Sequence, residues 1–87
     1  MVASGDYDNM DWSKDSLFFL ANSMVGFGAC ESAIDTYTRA ISAPGGIMPE
    51  GITARSYLHR GIVNYKLGDI ERAKQDFDAA IDLDSSI

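Results

Sequence analysis

The sequence predicts an all-α fold of four helices, arranged as two antiparallel pairs stacked on one another. Three observations carry this reading. The chain repeats itself at an offset of 40 residues. Apolar residues recur at spacings of three and four, the period of a helix with one buried side. Each pair is also broken at its middle by glycine, which suits the left-handed stop of a helix.

The offset brings Gly28 onto Gly68, Glu31 onto Glu71, Ala33 onto Ala73, Ala40 onto Ala80 and Ile41 onto Ile81. Leu17 falls on Tyr57, Ala21 on Gly61 and Tyr37 on Phe77. The matched residues are mostly small or aromatic, as close packing between helices requires, and internal repetition at such a period marks a helical repeat.

The first helix is expected over about residues 14–25, with Leu17, Phe18, Leu20, Ala21 and Met24 on its stripe and Ser13 as N-cap. Gly26-Phe27-Gly28 ends it. The second runs over about 30–42 with Ala33, Ile34, Tyr37, Ala40 and Ile41. From Ala43 to Gly51 the composition, with Pro44, Gly45, Gly46 and Pro49, reads as loop, and an insertion is placed at about 43–53. The third helix, over 54–67, carries Tyr57, Leu58, Gly61, Ile62, Tyr65 and Leu67. Gly68-Asp69 follows, Asp69 serving as N-cap of a fourth helix to residue 83 with Ile70, Ala73, Phe77, Ala80 and Ile81. Residues 1–12 show no helical period; they are expected to be a flexible acidic segment, or pinned through Tyr7, Met10 and Trp12. The chain thus divides into that segment and one domain over 13–87, with repeat one at about 14–47 and repeat two at 54–87.

Charge excludes some functions. Acidic residues outnumber basic ones 13 to 7, for a net charge of -6. A nucleic-acid binder needs clustered Lys and Arg to neutralise phosphates, so none is expected as partner. The longest apolar run, from Leu17 to Ala21, falls far short of the ~20 residues that span a bilayer. Cys30 is the single cysteine and forms no intrachain disulfide, which fits a reducing, cytoplasmic setting.

No constellation of residues supports catalysis, and neither cofactor nor metal is expected. His59 has no carboxylate or nucleophile placed beside it by a motif; it reads as a packed or solvent-facing histidine. One His and one Cys are too few soft ligands for zinc. Cys30 aligns with Ile70 and reads as a packing residue rather than a reactive thiol. Asp76, Asp78, Asp82 and Asp84 lack the Gly and closing Glu of a calcium loop and read as a solvated helix face. Gly26-Phe27-Gly28 lacks the strand and Lys-Ser/Thr ending of a phosphate loop. Arg60 has two readings held equal: a core Arg whose head reaches a carboxylate, or a contact for a partner.

The pattern Tyr57, Gly61, Tyr65, Gly68-Asp69, Ala73, Phe77, Ala80 and Ile81-Asp82-Leu83-Asp84 resembles the tetratricopeptide repeat, whose period is 34 residues. The first unit resembles it through Leu17, Leu20, Ala21, Gly28, Ala33, Tyr37, Ala40 and Pro44. Arg60, Asn64 and Ser85 depart from the family's apolar, aromatic and proline positions, and the join between units is about six residues longer than the family's period. The resemblance implies a right-handed superhelix whose concave face holds a partner peptide or helix. Its groove positions fall on Asp15, Phe18, Asn22 and Val25 and on Arg55, Leu58, Ile62, Tyr65 and Lys66. The positions of the family's Lys/Asn carboxylate clamp hold Phe18, Asn22, Leu58 and Ile62, so an apolar groove is implied instead.

The expected function is a protein–protein interaction module, a scaffold, adaptor or assembly factor, and not an enzyme. Two repeats are fewer than the roughly three that close a stack. Ile70, Phe77, Ile81 and Trp12 are therefore expected to form a bare or capped surface, with self-association as the expected outcome. A subunit embedded in a larger complex is the alternative; an enzyme or nucleic-acid binder is the remote one.

Overall fold

The computed structural model describes residues 13–45 and 48–84. These residues form four α-helices and no strand: α1 (Lys14–Gly26), α2 (Cys30–Ser42), α3 (Pro49–Lys66) and α4 (Ile70–Leu83). The segment 1–12, and with it the expected docking of Tyr7 and Trp12, lies outside the described residues.

Local chemistry sets the helix ends. Ser13 Oγ accepts the Ser16 N–H at 3.2 Å, and Asp69 accepts that of Arg72 at 3.2 Å. Each side chain satisfies an amide that the first turn leaves free. The two inter-helix turns share one geometry. Gly28 N–H donates to Val25 O at 3.0 Å and Ala29 N–H to Met24 O at 2.8 Å. Forty residues on, Gly68 N–H donates to Tyr65 O at 3.0 Å and Asp69 N–H to Asn64 O at 2.9 Å. This paired closure needs a left-handed residue, and Gly28 and Gly68 supply it at φ 82° and 88°.

α3 corrects the expected loop. It begins at Pro49, so residues 49–53 of the stretch expected as an insertion loop over 43–53 are helix. Pro49 occupies the helix's opening turn, where its missing N–H costs nothing and its fixed φ is already helical. Glu50 lies in the same turn, on the side the helix dipole favours. Most of the extra length between units is therefore helical: α3 has 18 residues where α1 has 13.

α1 pairs with α2 and α3 with α4, while α3 also packs on α1 and α2. α4 has α3 as its only helix partner among the described residues. The apolar core lies mainly in the first pair: Leu17, Phe18, Ala21, Ala33, Tyr37 and Ala40, joined by Val63 of α3. Tyr37 is closed to solvent and its hydroxyl donates to Asn22 Oδ1; burial pushes its phenol up to about 12.

Lys14 is buried as well, at 3% exposure. Its ammonium crosses from the start of α1 to the end of α2 and donates to Ala40 O at 2.5 Å and Ile41 O at 2.9 Å. Those carbonyls have no partner further along α2, and a cation complements that end of the dipole. Burial lowers the Lys14 pKa, partly opposed by Asp15.

The second pair is held by polar chemistry. Asp76, expected on a solvated face, is 4% exposed. Its Oδ1 accepts Arg60 Nη2 at 2.6 Å, and its Oδ2 accepts Arg60 Nε at 2.9 Å and Asn64 Nδ2 at 3.1 Å. Arg60 Nη1 donates on to Thr38 Oγ1 of α2 at 3.0 Å. Of the two readings of Arg60, the structure shows the first: its head reaches a carboxylate within the chain. This matched, hydrogen-bonded pair holds α3 to α4 and tethers both to α2. No described helix is long and apolar enough to cross a membrane.

Removing one partner of such a pair strands the other. Asp76→Ala is expected to destabilise the fold by about 3–5 kcal/mol in urea unfolding. The first pair has Leu20, Met24 and Thr36 at the equivalent places. Changing Arg60→Leu, Asn64→Met and Asp76→Thr together is expected to restore stability to within ~1 kcal/mol of wild type. A loss below about 1 kcal/mol for Asp76→Ala would show that the network contributes little.

Candidate functional site

α3 presents two sides of opposite character. The inner side seats on the first pair. Ser56 and Val63 are sealed, at 0% and 1% exposure, and Ser56 Oγ is buried with no hydrogen-bond partner. His59 lies between two rings, edge-on to Phe18 at 5.2 Å and stacked with Tyr37 at 6.1 Å. Burial, with a smaller contribution from the Arg55 charge, lowers its pKa below 6.5. The imidazole thus packs as a neutral aromatic. Cys30 is half-buried against the same core.

The outer side carries Leu58, Ile62, Tyr65 and Lys66, at the spacings of one helix face. Leu58 is half-buried, Ile62 is 38% and Tyr65 62% exposed, and Lys66 and Arg55 are exposed. Ile62, Tyr65, Lys66 and Phe77 of α4 line a cleft of about 430 Å³. Its walls are apolar, Lys66 contributing the stem of its side chain and keeping its ammonium outside.

Gly61 shapes this cleft. A Cβ at residue 61 would lie 2.8 Å from Phe77 Cε1 and 3.1 Å from Asp76 Cβ. Only glycine lets α4 approach closely enough to lay the Phe77 ring on α3 and bring Asp76 to Arg60. Phe77, expected on the bare surface, is consequently half-buried, and it forms one wall of the cleft. Ile70 and Ile81 are 53% and 50% exposed; Trp12 is outside the described residues.

The groove positions of the first unit do not join the site. Phe18 is 5% exposed, roofed by His59. Asn22 accepts the Tyr37 hydroxyl, and Val25 packs against the core. The accessible part is borne by α3 and α4 alone. Sequence reasoning placed Phe18 in the groove because periodicity does not show the register of α3 on the first pair, which roofs it. A second cleft, of about 230 Å³, lies among Thr38, Arg60, Asn64, Arg72 and Asp76, its carboxylate spent on Arg60 and Asn64. No group of three or more His, Cys, Asp or Glu able to hold a metal occurs among the described residues.

A family model described as tetratricopeptide repeat matches residues 54–87. No curated protein and no solved structure matches the chain.

Two outcomes follow from α3. Gly61→Ala trades a helix-propensity gain of ~1 kcal/mol against overpacking of roughly 1–3 kcal/mol. A melting temperature lower by several degrees is expected in a thermal scan; an unchanged or higher one contradicts the close approach. His59 sets an acid limb. The folded state disfavours its cation, while the unfolded chain binds a proton with the ordinary pKa of 6.5. Its contribution is therefore intact above 6.5, falls as pH drops below it, and levels off under the lowered folded pKa. Unfolding free energies between about pH 7.5 and pH 5.5 should decline more steeply for wild type than for His59→Phe. Parallel curves would show that the ring is not desolvated.

Proposed function

We propose that the chain is an adaptor or scaffold holding a partner segment along the outer face of α3: residues 54–87 match the tetratricopeptide repeat, and α3 and α4 stack on a helix pair of the same build. A repeat of this family is in general a protein-interaction module. The observation that carries the finer reading is the cleft of Ile62, Tyr65, Lys66 and Phe77, continuous along α3 with half-buried Leu58.

An apolar concavity with a cationic edge selects its occupant by chemistry. Burying an aliphatic or aromatic side chain there is favourable by about 1.5–3 kcal/mol. An acidic residue of the occupant meets Lys66 or Arg55 at the border, fixing direction more than adding affinity. The favoured partner is thus a short segment with an apolar anchor flanked by Asp or Glu. The places of a carboxylate clamp are filled by Phe18, Asn22, Leu58 and Ile62, which supports recognition through apolar side chains rather than a chain terminus. His59, enclosed between Phe18 and Tyr37, is committed to packing, in keeping with a binding role rather than catalysis.

Selection of displayed peptides on the immobilised chain tests this. Enriched peptides are expected to pair an aromatic or aliphatic residue with a nearby acid. Ile62→Glu combined with Tyr65→Glu is expected to weaken them by on the order of a hundredfold. Both residues are exposed, so helicity by circular dichroism should not change. Equal affinity in the double variant would exclude the outer face of α3 as the site.

A further inference from the structure

Two surfaces at opposite ends of the stack match, position for position, the two halves of a contact that the chain already makes internally. α3 fills a seat on the first pair: His59 rests on Phe18 and Tyr37, with Ser56 and Val63 sealed beside it. Advanced by 40 residues, the seat formed by Phe18 and Tyr37 becomes Leu58 and Phe77. Set back by 40, the residues that fill it become Ser16, Phe19 and Ser23 on α1.

Exposure follows the same correspondence. Tyr37 is 1% exposed beneath α3, whereas Phe77 is only half-buried and, among the described residues, α4 has no helix beyond it. Val63 is 1% exposed, whereas Phe19, the counterpart of His59, is 63% exposed and Ser16 and Ser23 are open. One end of the described stack carries an empty seat; the other carries a helix with the residues that fill such a seat. Charge agrees. The seat is bordered by Arg55 and Lys66, while α1 carries Asp15 and has its single base, Lys14, buried against the end of α2.

We propose that this chain associates head to tail with a second copy of itself, α1 of one copy seating Phe19 on Leu58, Ile62 and Phe77 of the next. The contact continues the internal stack across a chain boundary, so its occupant is a copy of this chain rather than an unrelated helix. It joins two different surfaces; each addition leaves one of each free, and the assembly grows without closing at a dimer. It occupies the same cleft as the proposed peptide, so the two compete for α3 and α4; Phe19, on α1, belongs to self-association alone, and its variants tell the two readings apart.

Sedimentation velocity over about 1 μM to about 1 mM tests it. The wild-type mass is expected to rise with concentration past that of two chains. Phe19→Glu disables the α1 surface and Ile62→Glu the seat; each alone is expected to remain at the 9.4 kDa monomer. Mixed one to one, they are expected to form a dimer and stop, since one keeps the seat and the other the filling helix. Phe19→Gln, with circular dichroism, guards against a fold defect from the added charge. Wild type that stays monomeric, a wild-type dimer that Phe19→Glu leaves intact, or a variant mixture that stays monomeric would each overturn the proposal.

Discussion

α3 is packed on both sides, and the arrangement of the other helices depends on that. Toward the first pair it offers Ser56, His59 and Val63; toward α4 it offers Gly61 and the Arg60–Asn64 arm. These sets interleave along one helix, so a rotation of α3 that improved one contact would spoil the other. The orientation of the outer face, and hence of the cleft, is fixed by this double engagement rather than by the connecting loop. The long α3, begun at Pro49, serves the same end: it converts a join between repeats into rigid helix.

The two pairs solve one packing problem with different chemistry. Where the first places Leu20, Met24 and Thr36, the second places Arg60, Asn64 and Asp76. Thr36 Oγ1 donates to Ser32 O at 2.9 Å and touches Met24 Sδ at 3.3 Å, a weak junction in a pair whose polar bonds lie elsewhere, at Tyr37–Asn22 and at Lys14. Asp76 gathers three donors at the corresponding place. An apolar interface tolerates small slippage; a planar guanidinium paired at two points does not. The pair that bears the candidate site is the one pinned at this place by a two-point ion pair.

Much of this was legible in the residues. Repetition at an offset of 40, the glycines at 28 and 68 and the acid at 69 located the helices and their turns, because those signals act over a few residues of chain. The start of α3 was obscured. Pro49 is a helix-opening signal, but Gly45, Gly46 and Gly51 around it spoke for loop, and tertiary packing of Ile52 against the core decided for helix. Lys14 gave no local sign of its role, since the carbonyls it meets lie 26 and 27 residues away. Asp76 looked like one acid among four, and only the facing helix distinguishes it. The groove failed in its first half for the same reason: periodicity places Phe18 on a face but does not show that His59 lies over it.

The helix partners are distributed unequally. Among the described residues, α3 borders three helices and α4 borders one. Detaching α4 breaks a single interface, whereas withdrawing α3 breaks three and leaves only the α1–α2 pair. In a linear stack the energy of each unit is largely a sum over nearest neighbours, so the terminal helix opens at the lowest cost. Amide hydrogens along α4 are therefore expected to exchange through fraying and those of α3 through global unfolding, so that the wall of the cleft built on Phe77 yields before the wall built on α3.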